Sequence, residues 1–326
     1  MPSRPCTSST RREGGWGMGL PQHVELSGRR VWLKYHRLLS GSGRFPPNSL
    51  SALQEVVEGG AFALEFDVRL LGDGTWVLHH DPTLDRETTG LGPLRAVDLS
   101  AYKALRLRGS GEPPATLAEA VAYLAASPRA LKVQVDLKEE VLALEEALAF
   151  LRALEPLRAN PNLRVVVGSL ADWNLRLLKR LDPALAIGLD PAYYLDAPVG
   201  TWSRLPVRVN AYGYLDDHPL GFRRFMPVRA YLEDRLEALL RSVPPFEELY
   251  LRKEFLLQAL GDGFDPVAFA RSLWDGLLVD VWTLDPEEGG LEVYLEALAQ
   301  VGVDQITCDR PLRLAALVPP PGGPAG

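Results

Sequence analysis

Between Leu64 and Gly90 the chain reads LEFDVRLLGDGTWVLHHDPTLDRETTG. Glu65 and Asp67 stand two residues apart, so on a strand they share one face. Two carboxylates facing an enclosed space repel, and burying them uncompensated is costly. A hard divalent cation such as Mg²⁺ or Ca²⁺ is one compensation, since both prefer oxygen ligands; a solvent-facing or salt-bridged pair is the other reading. Asp136, in KVQVDLK, offers a third carboxylate with Lys138 on the same face, although an acid at a strand-to-helix junction also serves as a helix N-cap. His36 in KYHR and His80 in HHDPTLDR stand at the ends of β-type runs. A single strand-end histidine is usually structural, whereas two beside converging carboxylates suit acid–base chemistry at a metal. His79 falls on the opposite face from His80 and is expected to pack or lie at the surface. Cys308, in ITCDRP, is expected to be a buried free thiol, because no partnered base is evident.

These residues sit on a regular alternation of β-rich and amphipathic runs. Strands are expected over 31–37, 61–69, 131–137, 163–169, 185–189, 249–252, 277–284 and 304–308. Helices are expected over 49–58, 117–126, 139–154, 172–181, 228–242, 266–274 and 291–301. The switch from period two to helical periodicity is plain where VDL at 135–137 runs into KEEVLALEEALAFLRAL. Repeated strand–helix units imply parallel strands with right-handed crossovers. Eight of them predict an α/β fold, a (β/α)8 TIM-type barrel with function at the carboxyl ends of its strands. The stretch 194–245 is the least regular.

A β-hairpin excursion after strand 2 interrupts the alternation, since Val77–His80 follows the second strand too closely for a parallel crossover. With Asp73-Gly74 as a two-residue turn, Gly72 faces Thr75 and Asp67 lies opposite His80. The hairpin then folds a base onto the acid pair.

Composition sets outer limits. Of 326 residues, 47% are apolar and 24% charged, enough for a large soluble core. The net charge of −7 argues against a nucleic-acid surface. No run is long and apolar enough for a membrane span. Two distant cysteines, Cys6 and Cys308, exclude a disulfide framework and favour a reducing compartment. Met1–Gly19 has no apolar central run, so it reads as a disordered tail, or as residues upstream of a start at Met18, rather than an export signal. The expected layout is a disordered tail over 1–28, one barrel domain over 29–318 and a second disordered tail over 319–326. The expected location is cytoplasmic, and the oligomeric state is left open.

In order along the chain stand HR at 36–37, PPNS at 46–49, LEFDV at 64–68, HDPTLDRETTGLG at 80–92, PATLAEAV, VDLK, VWTLD and GVDQITCDRP. This series, from about residue 31 to 317, resembles the glycerophosphodiester phosphodiesterase family. The resemblance implies a (β/α)8 fold and metal-dependent hydrolysis of a small-molecule glycerophosphodiester to glycerol 3-phosphate and an alcohol, a reaction of lipid and glycerol metabolism. It implies His36 and His80 as the acid–base pair, and Glu65, Asp67 and Asp136 as ligands of Mg²⁺ or Ca²⁺. Arg37 and Lys138 would contact the phosphate, and Trp282 would wall the pocket beside the alcohol. Three positions depart from the family: Leu38 replaces a glycine, Pro47 a glutamate, and Asp136 a glutamate. The aspartate variant also resembles a venom-type phospholipase D branch. Two alternatives follow from the departures, a phosphodiesterase of different specificity and a catalytically silent barrel binding phosphorylated ligands. A pure binder has no use for paired acid–base groups.

Overall fold

The computed structural model describes residues 19–195 and 227–318. The chain enters through β1 (His23–Leu26), which Ser27 and Gly28, both at positive φ, turn back into β2 (Arg29–Tyr35). Then come α1 (Leu50–Gly59), β3 (Ala63–Leu70), β4 (Trp76–Leu78), α2 (Leu99–Ala104), α3 (Leu117–Ala125) and β5 (Leu131–Leu137). The middle of the chain forms α4 (Leu144–Ala159), β6 (Leu163–Ser169), α5 (Asp172–Leu181), β7 (Ile187–Leu189) and α6 (Val228–Ser242). It ends with β8 (Glu248–Arg252), α7 (Lys253–Gly261), α8 (Pro266–Leu273), β9 (Leu278–Trp282), α9 (Leu291–Val301), β10 (Gln305–Cys308) and α10 (Pro311–Leu317). No helix among the described residues is long and apolar enough to cross a membrane.

Eight strands pair in parallel in the order β2, β3, β5, β6, β7, β8, β9, β10, and β10 pairs again with β2. The sheet therefore closes into the (β/α)8 barrel that the alternation predicts. Local chemistry starts the helices where expected. Ser49 accepts the Ala52 N–H ahead of α1, Thr116 and Glu119 form a capping box on α3, and Asp265 caps α8 with Pro266 in its first turn. Each such cap contributes about 0.5–2 kcal/mol.

Four expectations change. Residues 23–28, expected within a disordered tail, instead form β1 and the turn after it, because Val24 and Leu26 are buried and β1 pairs antiparallel with β2. Residues 1–18 and 319–326, expected as tails, and residues 196–226 of the stretch 194–245 lie outside the described residues. Helix α4 starts at Leu144 rather than Glu139, because the Glu139 carboxylate accepts the Leu70 N–H and pairs with Arg95 instead of entering a helix. Three short helices go unpredicted: α2 spans only six residues, α7 follows β8 with no turn residue between them, and α10 is a seven-residue piece that begins at Pro311. The hairpin register is shifted by one residue. Val68 faces Leu78 and the His79 N–H donates to the Asp67 carbonyl, so Asp67 lies opposite His79 and not His80. The loop holds three residues, Gly72 to Gly74, with the Gly74 N–H on the Leu71 carbonyl and Gly74 left-handed at φ 82. A turn closed by a left-handed glycine is the usual three-residue hairpin solution.

Alternation along the barrel strands sorts two cores. Leu33, Phe66, Val133, Val167, Leu249, Val281 and Ile306 face the helices and are fully buried. The other face meets across the barrel interior, and it is ionic rather than aliphatic. Lys34 Nζ lies 2.6 Å from Asp280, Lys132 Nζ 2.7 Å from Glu248, and Gln134, Gln305 and Thr307 complete the hydrogen bonds. Two lysines against two acids leave the interior neutral, which is what makes burying them tolerable. The Tyr250 ring fills the space above β6 and β7 only because those strands carry glycine there. A Cβ on Gly188 would enter the ring itself, and one on Gly168 would press on both Tyr250 and Gln134.

Gly188→Ala is therefore expected to destabilise the fold by about 1–3 kcal/mol, the usual cost of overpacking a core. Gly261→Ala, at an open position ending α7, should be neutral or slightly stabilising. Urea denaturation of the two variants checks the contrast.

Candidate active site

The parallel register of β3 and β5 sets Asp67 beside Asp136 and Glu65 beside Gln134. One carboxylate oxygen from each of Glu65, Asp67 and Asp136 lies within 4.8 Å of the others. Asp136 is inside β5 and α4 begins eight residues later, so the N-cap reading of Asp136 falls. Lys138, two residues on, places Nζ 2.5 Å from Asp136 Oδ2 and 3.2 Å from Asp67 Oδ1. Arg37 Nε stands 3.3 Å from Asp67 Oδ2, and Asn48 Nδ2 donates to that oxygen at 2.8 Å. Burial opposes the Asp67 charge, but Lys138, His80, Arg37 and His36 together hold its carboxyl well below the usual range.

Glu65 has the opposite fate. Burial first, and the Asp67 charge second, push its carboxyl up to about 7. Its Oε2 accepts the Arg37 N–H at 2.7 Å, while its Oε1 is buried without a hydrogen-bond partner. Three carboxylates against Lys138 and Arg37 leave a deficit of positive charge, and Glu65 bears it. An oxygen-preferring divalent cation fits that deficit and the orphaned oxygen.

Beyond β2 the backbone bends sharply at Arg37 (φ 49) and Leu38 (φ 66), which aims the Arg37 N–H at Glu65. Left-handed backbone costs a leucine about 1–2 kcal/mol, which explains why glycine is the usual residue at position 38 in the family it resembles. Full burial of the Leu38 side chain is worth a comparable about 1.5–3 kcal/mol, which offsets that cost. Pro47 brings no carboxylate to the site. Its neighbour Asn48, itself left-handed and buried, grips Asp67 twice, through Nδ2 and by accepting the Asp67 N–H at Oδ1.

Both histidines reach this place. His36 Nδ1 is 2.6 Å from Asp309 Oδ1, and its Nε2 lies 4.0 Å from Glu65 Oε2. His80 Nδ1 is 2.7 Å from Asp81 Oδ1, and Asp81 is in turn held by Arg86. Burial lowers the His80 pKa and so favours its neutral form, despite the Asp67 charge and the Asp81 hydrogen bond. The shifted hairpin does not displace His80, because β4 ends at Leu78 and strand alternation no longer governs its direction. His79 is fully buried away from the site, with Nε2 2.9 Å from the Thr83 carbonyl.

A cavity of about 300 Å³ opens at the carboxyl ends of the strands, lined by His36, Arg37, Glu65, His80, Asp136, Lys138 and Trp282 among others. Asp67 sits fully buried just behind that lining. The fold thus gathers all eight residues singled out in the sequence. Cys308 is a free, buried thiol, and burial pushes it up to about 12, far from reactivity.

Sequence reasoning passed over Asn48, Asp81 and Asp309. Asp81 had a signal, its place next to His80. Asp309 had none at short range: it is 273 residues from His36, and only the pairing of Cys308 with Tyr35 across the barrel seam makes them neighbours.

The chain is 30% identical over 187 residues to a glycerophosphodiester phosphodiesterase of Caldanaerobacter subterraneus subsp. tengcongensis, a match covering 56% of this chain and 73% of that one. It is 38% identical over 101 residues to glycerophosphodiester phosphodiesterase 1 of Bos taurus, spanning 28% of this chain and only 30% of the relative. A phosphodiesterase of Oleispira antarctica, solved with the product sn-glycerol-3-phosphate, superposes with a TM-score of 0.59 at 23% identity, over 86% of this chain and 94% of that one. At that identity the likeness speaks for the fold. The glycerophosphoryl diester phosphodiesterase family matches residues 36–313, and the chain belongs to that family of enzymes.

Proposed function

We propose that this enzyme hydrolyses a glycerophosphodiester to glycerol 3-phosphate and an alcohol, with a divalent cation, Mg²⁺ or Ca²⁺, held by Glu65, Asp67 and Asp136. The observation that carries the reading is the pair of imidazoles on one cavity, each with Nδ1 fixed by a carboxylate, beside an acid triad short of positive charge. Anchoring Nδ1 leaves Nε2 of both rings for proton transfer. A cation bound there would offset charge on the phosphate's non-bridging oxygens.

Arg37 and Lys138 line the same cavity and orient the anionic phosphate. His80, neutral by burial, takes the proton of the attacking oxygen, from water or from a neighbouring glycerol hydroxyl, as that oxygen bonds to phosphorus. His36 gives a proton to the alkoxide as the ester bond breaks, since an unprotonated alkoxide leaves poorly. Asp81 and Asp309 fix the two rings. Trp282, with the Arg252 guanidinium 5.3 Å above its ring, forms a wall for the departing alcohol.

Three outcomes are expected. Turnover of glycerophosphocholine should vanish with a chelator and return with added Mg²⁺ or Ca²⁺; full activity in metal-stripped protein would sink the cation assignment. His36→Ala and His80→Ala should each lower kcat by about 10²-fold or more, as loss of a general acid or base does. Steady-state kinetics on folded variants reads this out, and near-wild-type kcat in either would remove that histidine from catalysis. Asp136→Asn deletes a charge at constant size, so cation affinity measured by calorimetry should drop about tenfold or more. Asp136→Glu should retain partial affinity with an altered Mg²⁺/Ca²⁺ preference, and unchanged binding in Asp136→Asn would exclude Asp136 as a ligand.

A further inference from the structure

His80 stands two residues past the end of β4, where no ladder partner remains for its backbone. A partly buried peptide in that position needs other partners. On one side, the Glu87 carboxylate accepts the His80 N–H at 3.1 Å and the Asp81 N–H at 2.8 Å. On the other, Arg69 Nε donates to the His80 carbonyl at 2.6 Å. The Glu87 and Arg69 side chains are only 11% and 15% exposed, so water screens these charged hydrogen bonds weakly.

We propose that Glu87 and Arg69 are positioning residues that fix the His80 imidazole relative to the carboxylates of β3. The strand explains the coupling. Glu65, Asp67 and Arg69 follow one another at intervals of two, so they share one face of β3. The strand that supplies two of the site's acids also supplies the group holding the His80 carbonyl. Glu87 completes the grip by binding two successive N–H groups, which sets the direction of the peptide and, through Asp81, the partner of His80 Nδ1. Thr88, the next residue, also stabilises this loop but bonds only to the Leu84 carbonyl and the Gly90 N–H.

The inference rests on the catalytic role proposed for His80, and the test separates the two. Glu87→Ala, Glu87→Gln and Thr88→Ala are compared for kcat and KM on glycerophosphocholine per folded molecule, for Mg²⁺ affinity, and for the His80 imidazole resonances by NMR. Glu87→Ala should lower kcat by about 10–100-fold, the effect of displacing a catalytic group by a fraction of an ångström to an ångström, with KM and Mg²⁺ affinity nearly unchanged. Glu87→Gln should keep much of kcat, since its amide oxygen still accepts both N–H groups. Thr88→Ala should lose stability while keeping kcat, and the His80 resonances should move in Glu87→Ala alone. Equal loss of kcat in Glu87→Ala and Thr88→Ala, or loss of melting temperature alone in Glu87→Ala, would overturn the proposal. If Glu87→Ala does not fold, Arg69→Met releases the His80 carbonyl and carries the same kcat and NMR readouts. If the wild-type protein turns over no glycerophosphodiester, the proposed function fails. The imidazole resonances then decide alone: a shift in Glu87→Ala sustains the positioning role, and unmoved resonances end it.

Discussion

The parallel pairing of β3 with β5 is the constraint on which the rest of this site depends. Its register sets Asp67 beside Asp136 at the barrel mouth, with Glu65 one inward step below. Three acids at such range are unfavourable without compensation, and the surroundings read as a set of partial answers. Lys138 takes two of them, Arg37 and Asn48 take the far side of Asp67, and the Arg37 N–H takes one oxygen of Glu65. What is left over is two buried oxygens without a hydrogen-bond partner, Glu65 Oε1 and Asp67 Oδ1, and a Glu65 carboxyl pushed up to about 7, a combination that suits a cation.

The same need explains the odd backbone of the first loop. Arg37, Leu38 and Asn48 all sit in left-handed conformations, the kind of local strain that persists only where surrounding structure over-determines it. Here the anchors are the buried Leu38 side chain and the two hydrogen bonds between Asn48 and Asp67. Leucine at position 38 thus sets core burial against the cost of a left-handed backbone.

Under the site, the barrel interior is polar instead of aliphatic. Lys34, Asp280, Lys132 and Glu248 neutralise one another, and glycines on β6 and β7 admit the Tyr250 ring between them. A filled, charge-balanced floor lies below a cavity of about 300 Å³ at the carboxyl ends of the strands, and both histidines line that cavity. The apolar driving force for folding sits outside the strands, against the helices, so the inner face is free to carry chemistry.

Periodicity and end signals are local, and the sequence carried them. The eight barrel strands, the helices beginning at Leu117, Asp172, Val228, Pro266 and Leu291, and the shared face of Glu65 and Asp67 all follow from patterns a few residues long. The site residues were legible from equally short patterns: Glu65 and Asp67 from their spacing of two, His80 from the hairpin that returns beside them, and His36, Asp136 and Lys138 from their place at or near the carboxyl ends of parallel strands, where a barrel opens. What closure and registry decide was not legible. The one-residue shift of the hairpin came from a third loop residue whose cost depends on Gly74. The Asp309–His36 pair exists only because β10 meets β2, and the ionic floor exists because five strands bring their inner faces together. Such contacts join residues a hundred or more positions apart, and no pattern within a single element encodes which strands will be neighbours.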